Sequence, residues 1–204
     1  MRRALCCGLL ACHVAAPAAT INVSVADARG QAVPDAAVYA VPRAPLPVRR
    51  TRKDAAIEQV NRQFVPLVTV VQTGTPVRFP NRDDVRHHVY SFSPAKPFEI
   101  KLYVGTPAEP VLFDKPGEVV LGCNIHDHMR AFVYVADTPF FAKTDAEGKA
   151  ILDALPAGEF NVQVWHYSQS APPAAKRVRL GADETAAVAI GIALRPRAAP
   201  ASRK

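Results

Sequence analysis

Apolar and polar residues alternate with a period of two along most of the chain. The first clear case is TINVSVADARGQAVPDAAVYAV, residues 20–41, which predicts two strands, the second at 36–41, with a turn at residues 27–31. Alternation of this kind places successive side chains on opposite faces of a sheet. No segment shows the longer period of an amphipathic helix, so we expect an all-β fold.

Two further blocks also predict strands separated by turns. In residues 54–93, apolar runs are broken at Gly74, at Pro80 and at a turn over 81–84. Residues 110–137 predict a turn at 115–117, a strand that ends at Cys123, a tight loop and a strand at 131–135. The segment between them, residues 94–110, is expected to be irregular, with room for a short helix.

The last block, residues 138–194, predicts turns at 145–148 and 156–158 and strands near 160–166, 176–180 and 185–194. A proline-rich, basic stretch that includes residues 46–53 is expected to be an extended linker. Residues 195–204 are expected to form a disordered basic tail.

Residues 1–18 have the layout of a secretory signal peptide. Two arginines precede an apolar run from Ala4 to Ala16, and small residues follow, so cleavage is expected near Ala18. The run is too short to cross a bilayer, and no later segment is suitable. We therefore expect a periplasmic or secreted protein without stable membrane insertion. The stretch LLAC at residues 9–12 leaves lipidation as an alternative.

The formal net charge is +7, but part of the basic excess lies at the chain ends and in the linker. The sequence contains no basic amphipathic helix and no aromatic RNA-binding motif. We therefore expect no nucleic-acid partner, and interpret the arginines as solvated surface residues.

The four cysteines are distributed unevenly between the leader and the rest of the chain. Cys6, Cys7 and Cys12 lie in the leader, so only Cys123 would remain after cleavage. A lone thiol in an oxidising compartment cannot form an internal disulfide. Cys123 is therefore a buried apolar residue, an intermolecular link or a metal ligand.

The loop GCNIHDHM places three soft or borderline donors, Cys123, His126 and Met129, within seven residues. Two histidines, one cysteinate and a weak axial thioether form the recurring ligand set of blue-copper electron-transfer centres. Such a centre needs one more histidine from elsewhere. The alternative is a core cysteine with surface histidines in a sandwich that binds no metal.

The stretch RHHVYS supplies two candidates for that histidine, His87 and His88. In a strand, His87 shares a face with Val85 and Val89, whereas His88 shares the other face with Tyr90. The valine face suits the core, so we expect His87 to point inward. The predicted ligands are His87, Cys123 and His126 in a trigonal plane with Met129 axial. His88 and His128 are the alternative donors, and His128 is expected to be exposed.

These motifs resemble those of a known family. FDKPGEVVLGCNIHDHM is similar to the C-terminal signature of cupredoxins, and the spacing between His126 and Met129 is similar to that of amicyanin. Residues 54–137 resemble the plastocyanin-like proteins often labelled methylamine utilisation proteins. The resemblance implies a Greek-key β-sandwich with one type 1 copper, bound by His87, Cys123, His126 and Met129. Gly122 departs from plastocyanins, which often carry an aromatic residue there.

The flanking segments carry a second resemblance, to carboxypeptidase-regulatory-like and transthyretin-like β-sandwiches. VSVADARGQAVPDAAVYAV resembles their opening strands, and TDAEGKAILDALPAGEFNVQVWH resembles their closing half. This implies one small sandwich made of residues 19–45 and 138–194, into which the copper domain of residues 54–137 is inserted. Three consecutive modules are the alternative, but 27 residues are too few for a stable core.

The leading hypothesis is therefore a periplasmic type 1 copper protein that carries one electron. Its partner would be a redox protein such as a periplasmic dehydrogenase or a cytochrome c. A copper-sequestration or copper-delivery module is the alternative, because this end of the protein is rich in imidazole. We do not expect an enzyme, since four protein donors leave no open metal position and no other catalytic set is present.

Overall fold

The computed structural model describes residues 18–46 and 54–196, and every regular element in this part of the chain is a strand. The all-β prediction is confirmed. Within the described ranges no helix could cross a membrane. The predicted signal peptide (except Ala18), linker residues 47–53 and tail residues 197–204 lie outside the described residues.

The described residues form seventeen strands. In chain order they are β1 (Ala19–Asp27), β2 (Ala37–Pro42), β3 (Ala55–Ala56), β4 (Glu58–Val60), β5 (Gln63–Val65), β6 (Val68–Gln72), β7 (Thr75–Arg78), β8 (His87–Ser91), β9 (Phe98–Tyr103), β10 (Val111–Phe113), β11 (Gly117–Cys123), β12 (Arg130–Ala136), β13 (Phe141–Lys143), β14 (Lys149–Leu155), β15 (Gly158–Trp165), β16 (Lys176–Leu180) and β17 (Thr185–Ile192).

Strands from the two ends of the chain form one group of sheets, which we call the flanking sandwich. One sheet has the order β14-β1-β17 and the other β13-β2-β15-β16. The alternating apolar residues of β1, among them Ile21, Val23 and Val25, are buried between the two sheets. Residues 19–42 thus pair with strands that lie more than 100 residues later in the chain.

The middle of the chain forms the central sandwich. A five-stranded sheet with the order β6-β12-β11-β8-β9 packs on a smaller sheet, β10-β7-β3, and a separate hairpin joins β4 to β5. The shared core includes Val89, Leu121 and Val133 from the large sheet and Val77 and Phe113 from the small one. Because β8 lies beside β11 and β6 beside β12, the sheet brings distant segments together.

One expectation from the sequence was wrong in this region. Residues 98–103 form β9, where we expected irregular chain or a short helix. Phe98 and Ile100 alternate with charged residues there, so a strand signal was present but was broken by nearby prolines.

An aromatic cluster joins the two sandwiches. Tyr134 of β12 stacks between Tyr39 of β2 and Trp165 of β15, with ring centroids 5.0 and 5.1 Å apart. Phe132 stacks on Tyr167 at 4.6 Å. The outer face of β12 is therefore covered by the flanking sandwich, and we call this contact the junction.

Replacement of Trp165 by alanine is expected to destabilise the folded protein, because Trp165 is part of the junction. Trp165 is 7% exposed and its Nε1 donates to Glu118 Oε2 at 2.9 Å. We expect a loss of about 3–5 kcal/mol in the free energy of unfolding, as for other buried aromatic residues. Urea denaturation followed by circular dichroism measures this loss.

The matched control for that prediction is Phe92→Ala, which removes an exposed aromatic side chain. It should change the free energy of unfolding by no more than about 0.5 kcal/mol. Equal effects of the two substitutions would contradict the proposed importance of the junction.

His166, next to the junction, makes stability depend on pH. Its ring is buried, and Nδ1 lies 2.9 Å from Ser168 Oγ. Burial lowers the pKa of His166 below its usual value of 6.5, although the charge of Asp35 and a hydrogen bond to Pro34 partly oppose this. The unfolded chain then binds a proton more readily than the folded protein, so stability is lost as pH falls below that value.

We therefore expect His166→Gln to reduce the loss of unfolding free energy between pH 7.5 and pH 5.5 in the metal-free protein. The control is His128→Gln, at an exposed histidine. Urea denaturation at the two pH values measures the slopes. An unchanged slope in His166→Gln would show that this residue does not carry the dependence.

Candidate metal centre

The pairing of β8 with β11 brings the first two candidate donors together. Cys123 lies opposite Val89 in an antiparallel register, and His87 lies two residues from Val89 on the same face. His87 is fully buried and Cys123 is 3% exposed. The inward orientation that strand parity predicted for His87 is confirmed, and Cys123 is buried on the same face of the sheet.

The loop after β11 adds a third donor. The ligand atoms of His87, Cys123 and His126 all lie within 4.8 Å of one another, so this group could hold a metal ion. Cys123 Sγ lies 3.8 Å from His87 Nδ1 and 3.8 Å from His126 Nδ1. The two histidines thus present the same ring nitrogen to the same sulfur.

The spacing fits a trigonal metal site. Bonds of about 2.0–2.1 Å to nitrogen and about 2.3 Å to sulfur are typical of a borderline metal such as zinc. If those bonds meet at about 120°, sulfur and nitrogen are separated by about 3.8 Å. Both observed separations equal this value. Both sulfur–nitrogen separations therefore suit a trigonal metal ion.

Met129 ends the same loop and is 2% exposed. Its backbone N–H donates to the His126 carbonyl oxygen at 2.9 Å, which closes a tight turn. The turn places the thioether side chain in the core cluster that also contains Cys123. Met129 is thus buried in the central core, and its role as an axial donor stays a prediction.

The two alternative donors lie elsewhere. His88 is on the opposite face of β8 from His87, and its Nε2 lies 2.9 Å from Glu99 Oε1. His128 is exposed, as expected, and its Nε2 lies 3.1 Å from the Arg62 carbonyl oxygen. Neither belongs to the group of donor atoms that lie together among the described residues.

Asp83 is a further residue beside the group, and no sequence pattern predicted it. Its Oδ2 lies 2.7 Å from His87 Nε2, the ring nitrogen that faces away from Cys123. Partial burial acts to raise the pKa of Asp83, but hydrogen bonds from Arg62, His87 and Asn61 outweigh it and the pKa is lowered. The carboxylate is thus held in its charged form beside a candidate ligand. DDVRHH offers two aspartates, and only the loop conformation distinguishes them.

Asn81 determines that loop conformation. Its Nδ2 donates to the carbonyl oxygens of Val85 at 2.8 Å and Tyr103 at 3.0 Å. Its Oδ1 accepts from the Asp83 backbone N–H at 2.9 Å. Asn81 is 5% exposed, so it ties the segment before His87 to β9 from within the protein.

The electrostatic surroundings favour neutral imidazole at His126. Desolvation lowers its pKa first, and the neighbouring His87, Arg62 and His128 lower it further, while Asp83 opposes them. Neutral imidazole is the form that binds metal ions. The arrangement therefore favours metal binding over protonation at this ring.

Gly122 stands where plastocyanins often carry an aromatic residue. Its lack of a side chain makes room for an aromatic ring from β8, the neighbouring strand in the sheet. A Cβ atom at position 122 would lie 2.8 Å from the Tyr90 ring. Tyr90 is paired with Gly122 across β8 and β11. An aromatic side chain thus covers this position although the sequence carries glycine there.

No protein-family model matches the chain, and no curated protein matches it. Among solved structures, the chain is similar to a copper-containing nitrite reductase from Thermus scotoductus SA-01, with 25% identity and a TM-score of 0.39. That match covers 47% of this chain but only 25% of the reductase chain.

Cupredoxins are also among the solved structures to which the chain is similar. A purple cupredoxin from Nitrosopumilus maritimus has 22% identity over 41% of this chain and 100% of its own, with a TM-score of 0.36. Amicyanin from Paracoccus versutus has 14% identity over 48% of this chain and 98% of its own, with a TM-score of 0.35.

Replacement of Asn81 by alanine is expected to destabilise the metal-free protein. It leaves two part-buried carbonyl oxygens and one part-buried N–H without this partner, and unsatisfied buried groups cost about 1–3 kcal/mol. We expect a loss of about 2–3 kcal/mol in urea denaturation followed by circular dichroism.

Asn22→Ala is the matched control, because Asn22 is an exposed asparagine on β1. It should change the free energy of unfolding by less than about 0.5 kcal/mol. If Asn81→Ala is equally harmless, Asn81 does not hold the loop before His87.

Proposed function

We propose that the chain is an exported, type 1 copper protein that carries one electron. The observation that supports this best is the equal spacing, 3.8 Å, of Cys123 Sγ from His87 Nδ1 and from His126 Nδ1. Two imidazoles and one thiolate in a plane, with a thioether nearby, form the set that blue-copper centres use. Met129, buried in the same loop, supplies that thioether.

Bound copper would supply a one-electron couple, and the chain's own residues determine how that couple behaves. His87, Cys123 and Met129 are all at most 3% exposed, so water is excluded from most of the site. His87 and Cys123 project from paired strands, which restricts their movement. Donors that move little between oxidation states make electron transfer fast, because little reorganisation accompanies it.

His126 is the donor closest to solvent and would be the exit for electrons. Its side chain is partly exposed, whereas the other three predicted donors are buried. Ile125 beside it is 47% exposed and provides an apolar contact. We propose that a redox partner protein, such as a periplasmic dehydrogenase or a cytochrome c, docks over this edge.

A carrier rather than an enzyme is the function we propose, because the predicted donors come entirely from the chain and leave substrate no position on the metal. The periplasmic or secreted location is part of the same proposal and depends on the signal peptide predicted in residues 1–18. Cys123, the lone cysteine of the described residues, is free and buried. A lone, buried thiol is compatible with an oxidising compartment.

The test compares visible absorption of the full chain loaded with Cu(II) in four forms: unchanged, Cys123→Ser, His87→Gln and His88→Gln. We expect an intense thiolate-to-copper band that disappears on reduction and returns on oxidation. Cys123→Ser and His87→Gln should abolish or strongly alter the band. His88→Gln is the matched control, since His88 lies on the opposite face of β8 and pairs with Glu99.

Two outcomes would overturn the proposal. A protein without an intense band, or with a band that survives Cys123→Ser, is not a type 1 copper protein. A band that is present but cannot be cycled reversibly by voltammetry would instead support the copper-storage alternative.

A further inference from the structure

The hairpin of β4 and β5 contacts the candidate metal centre from outside the two main sheets. Its two-residue turn, Asn61-Arg62, has φ angles of 54° and 55°. Positive φ at both positions is the signature of a type I′ turn, which suits a two-residue hairpin. The turn directs the backbone N–H groups of both residues toward Asp83.

Asp83 is the point at which this turn meets the metal centre. Its Oδ1 accepts from Asn61 N at 2.6 Å, and its Oδ2 accepts from Arg62 N at 2.9 Å and lies 2.7 Å from His87 Nε2. The side chain is only 11% exposed. One carboxylate therefore joins the hairpin to a ligand histidine, and both of its oxygens are occupied.

The contact with Asp83 determines which ring nitrogen of His87 carries the proton and which is available to bind a metal. A carboxylate can only accept, so the proton of the neutral ring lies on Nε2 and the lone pair lies on Nδ1. Nδ1 is the atom that faces Cys123 Sγ. Carboxylate partners of this kind orient metal-binding histidines and increase their basicity.

The same hairpin also holds the ligand loop. The Arg62 carbonyl oxygen lies 3.1 Å from His128 Nε2, between His126 and Met129 in sequence. Arg82, in the loop before His87, also contacts the hairpin through an exposed salt bridge to Glu58 of β4 at 2.9 Å. The hairpin is thus linked to both parts of the chain that supply donors.

We propose that Asp83, fixed by the Asn61-Arg62 turn, is the positioning residue of the metal centre and favours the oxidised over the reduced metal. The proposal rests on the copper function proposed above. A fixed negative charge one imidazole away stabilises the more positive oxidation state, and so lowers the reduction potential.

The test is Asp83→Asn in the full chain, with Asp84→Asn as the matched control because Asp84 is the exposed neighbour. Asparagine keeps the shape but has one acceptor oxygen for three donors. Competition with a chelator measures the affinities for Cu(II) and Cu(I), and voltammetry measures the potential. We expect Cu(II) affinity to fall about 10–100-fold, the usual effect of losing such a partner.

The potential separates a tuning role from a merely structural one. If the Cu(II) affinity falls tenfold more than the Cu(I) affinity, the potential rises by about 59 mV for this one-electron couple. A purely structural defect would lower the affinities for Cu(II) and Cu(I) by the same factor and leave the reduction potential unchanged. An Asp83→Asn potential no higher than that of Asp84→Asn overturns the inference.

A second measurement needs neither copper nor a folded variant. Nitrogen-15 NMR of the metal-free, unsubstituted protein should show the His87 proton on Nε2, and a proton on Nδ1 would overturn the inference. The two proposals fail separately. An unsubstituted protein without a thiolate-to-copper band refutes the copper function, whereas a normal band with an unshifted Asp83→Asn potential refutes only the role of Asp83.

Discussion

The antiparallel register between β8 and β11 is the constraint on which the candidate metal centre depends. Cys123 lies opposite Val89, and this pairing places His87 on the same inward face as the thiol. A slip of one residue would turn His88 inward and His87 outward, because side chains alternate between faces. Val89 and Val119, the fully buried valines of these strands, oppose that slip, because it would move them out of the core. Hydrophobic packing thus selects the histidine.

A second constraint acts on the loops, which no sheet register controls. Asn81 and the Asn61-Arg62 turn define the chain before His87, and both act through the backbone or side chain of Asp83. Asn81 is buried and the Asp83 side chain is only 11% exposed, so each of these two has few alternative partners. The ring orientation of His87 is therefore determined by two contacts. The loops fix it through Asp83 at Nε2, and the register of β8 with β11 directs the side chain toward Cys123.

Sequence patterns predicted part of this arrangement. Alternation was sufficient for the all-β class and for the inward orientation of His87, because both depend only on the two-residue period. The role of Asp83 could not be predicted, since Asp83 and Asp84 are equivalent until Asn81 shapes the loop. The strand β9 was missed because flanking prolines concealed a short alternation. The division into domains and the individual ligands remain predictions.

The described residues of the flanking sandwich supply none of the candidate donors. The junction nevertheless connects this sandwich to the candidate metal centre through β12. The strand β12 begins immediately after Met129, and its inner residues Ala131 and Val133 pack in the core of the central sandwich. Its outer residues Phe132 and Tyr134 pack on the flanking sandwich. The strand that leaves the ligand loop is thus held on both faces and paired along both edges, with β6 and β11. Because displacement of the loop would disturb two packed surfaces at once, the flanking sandwich restricts movement of the donors.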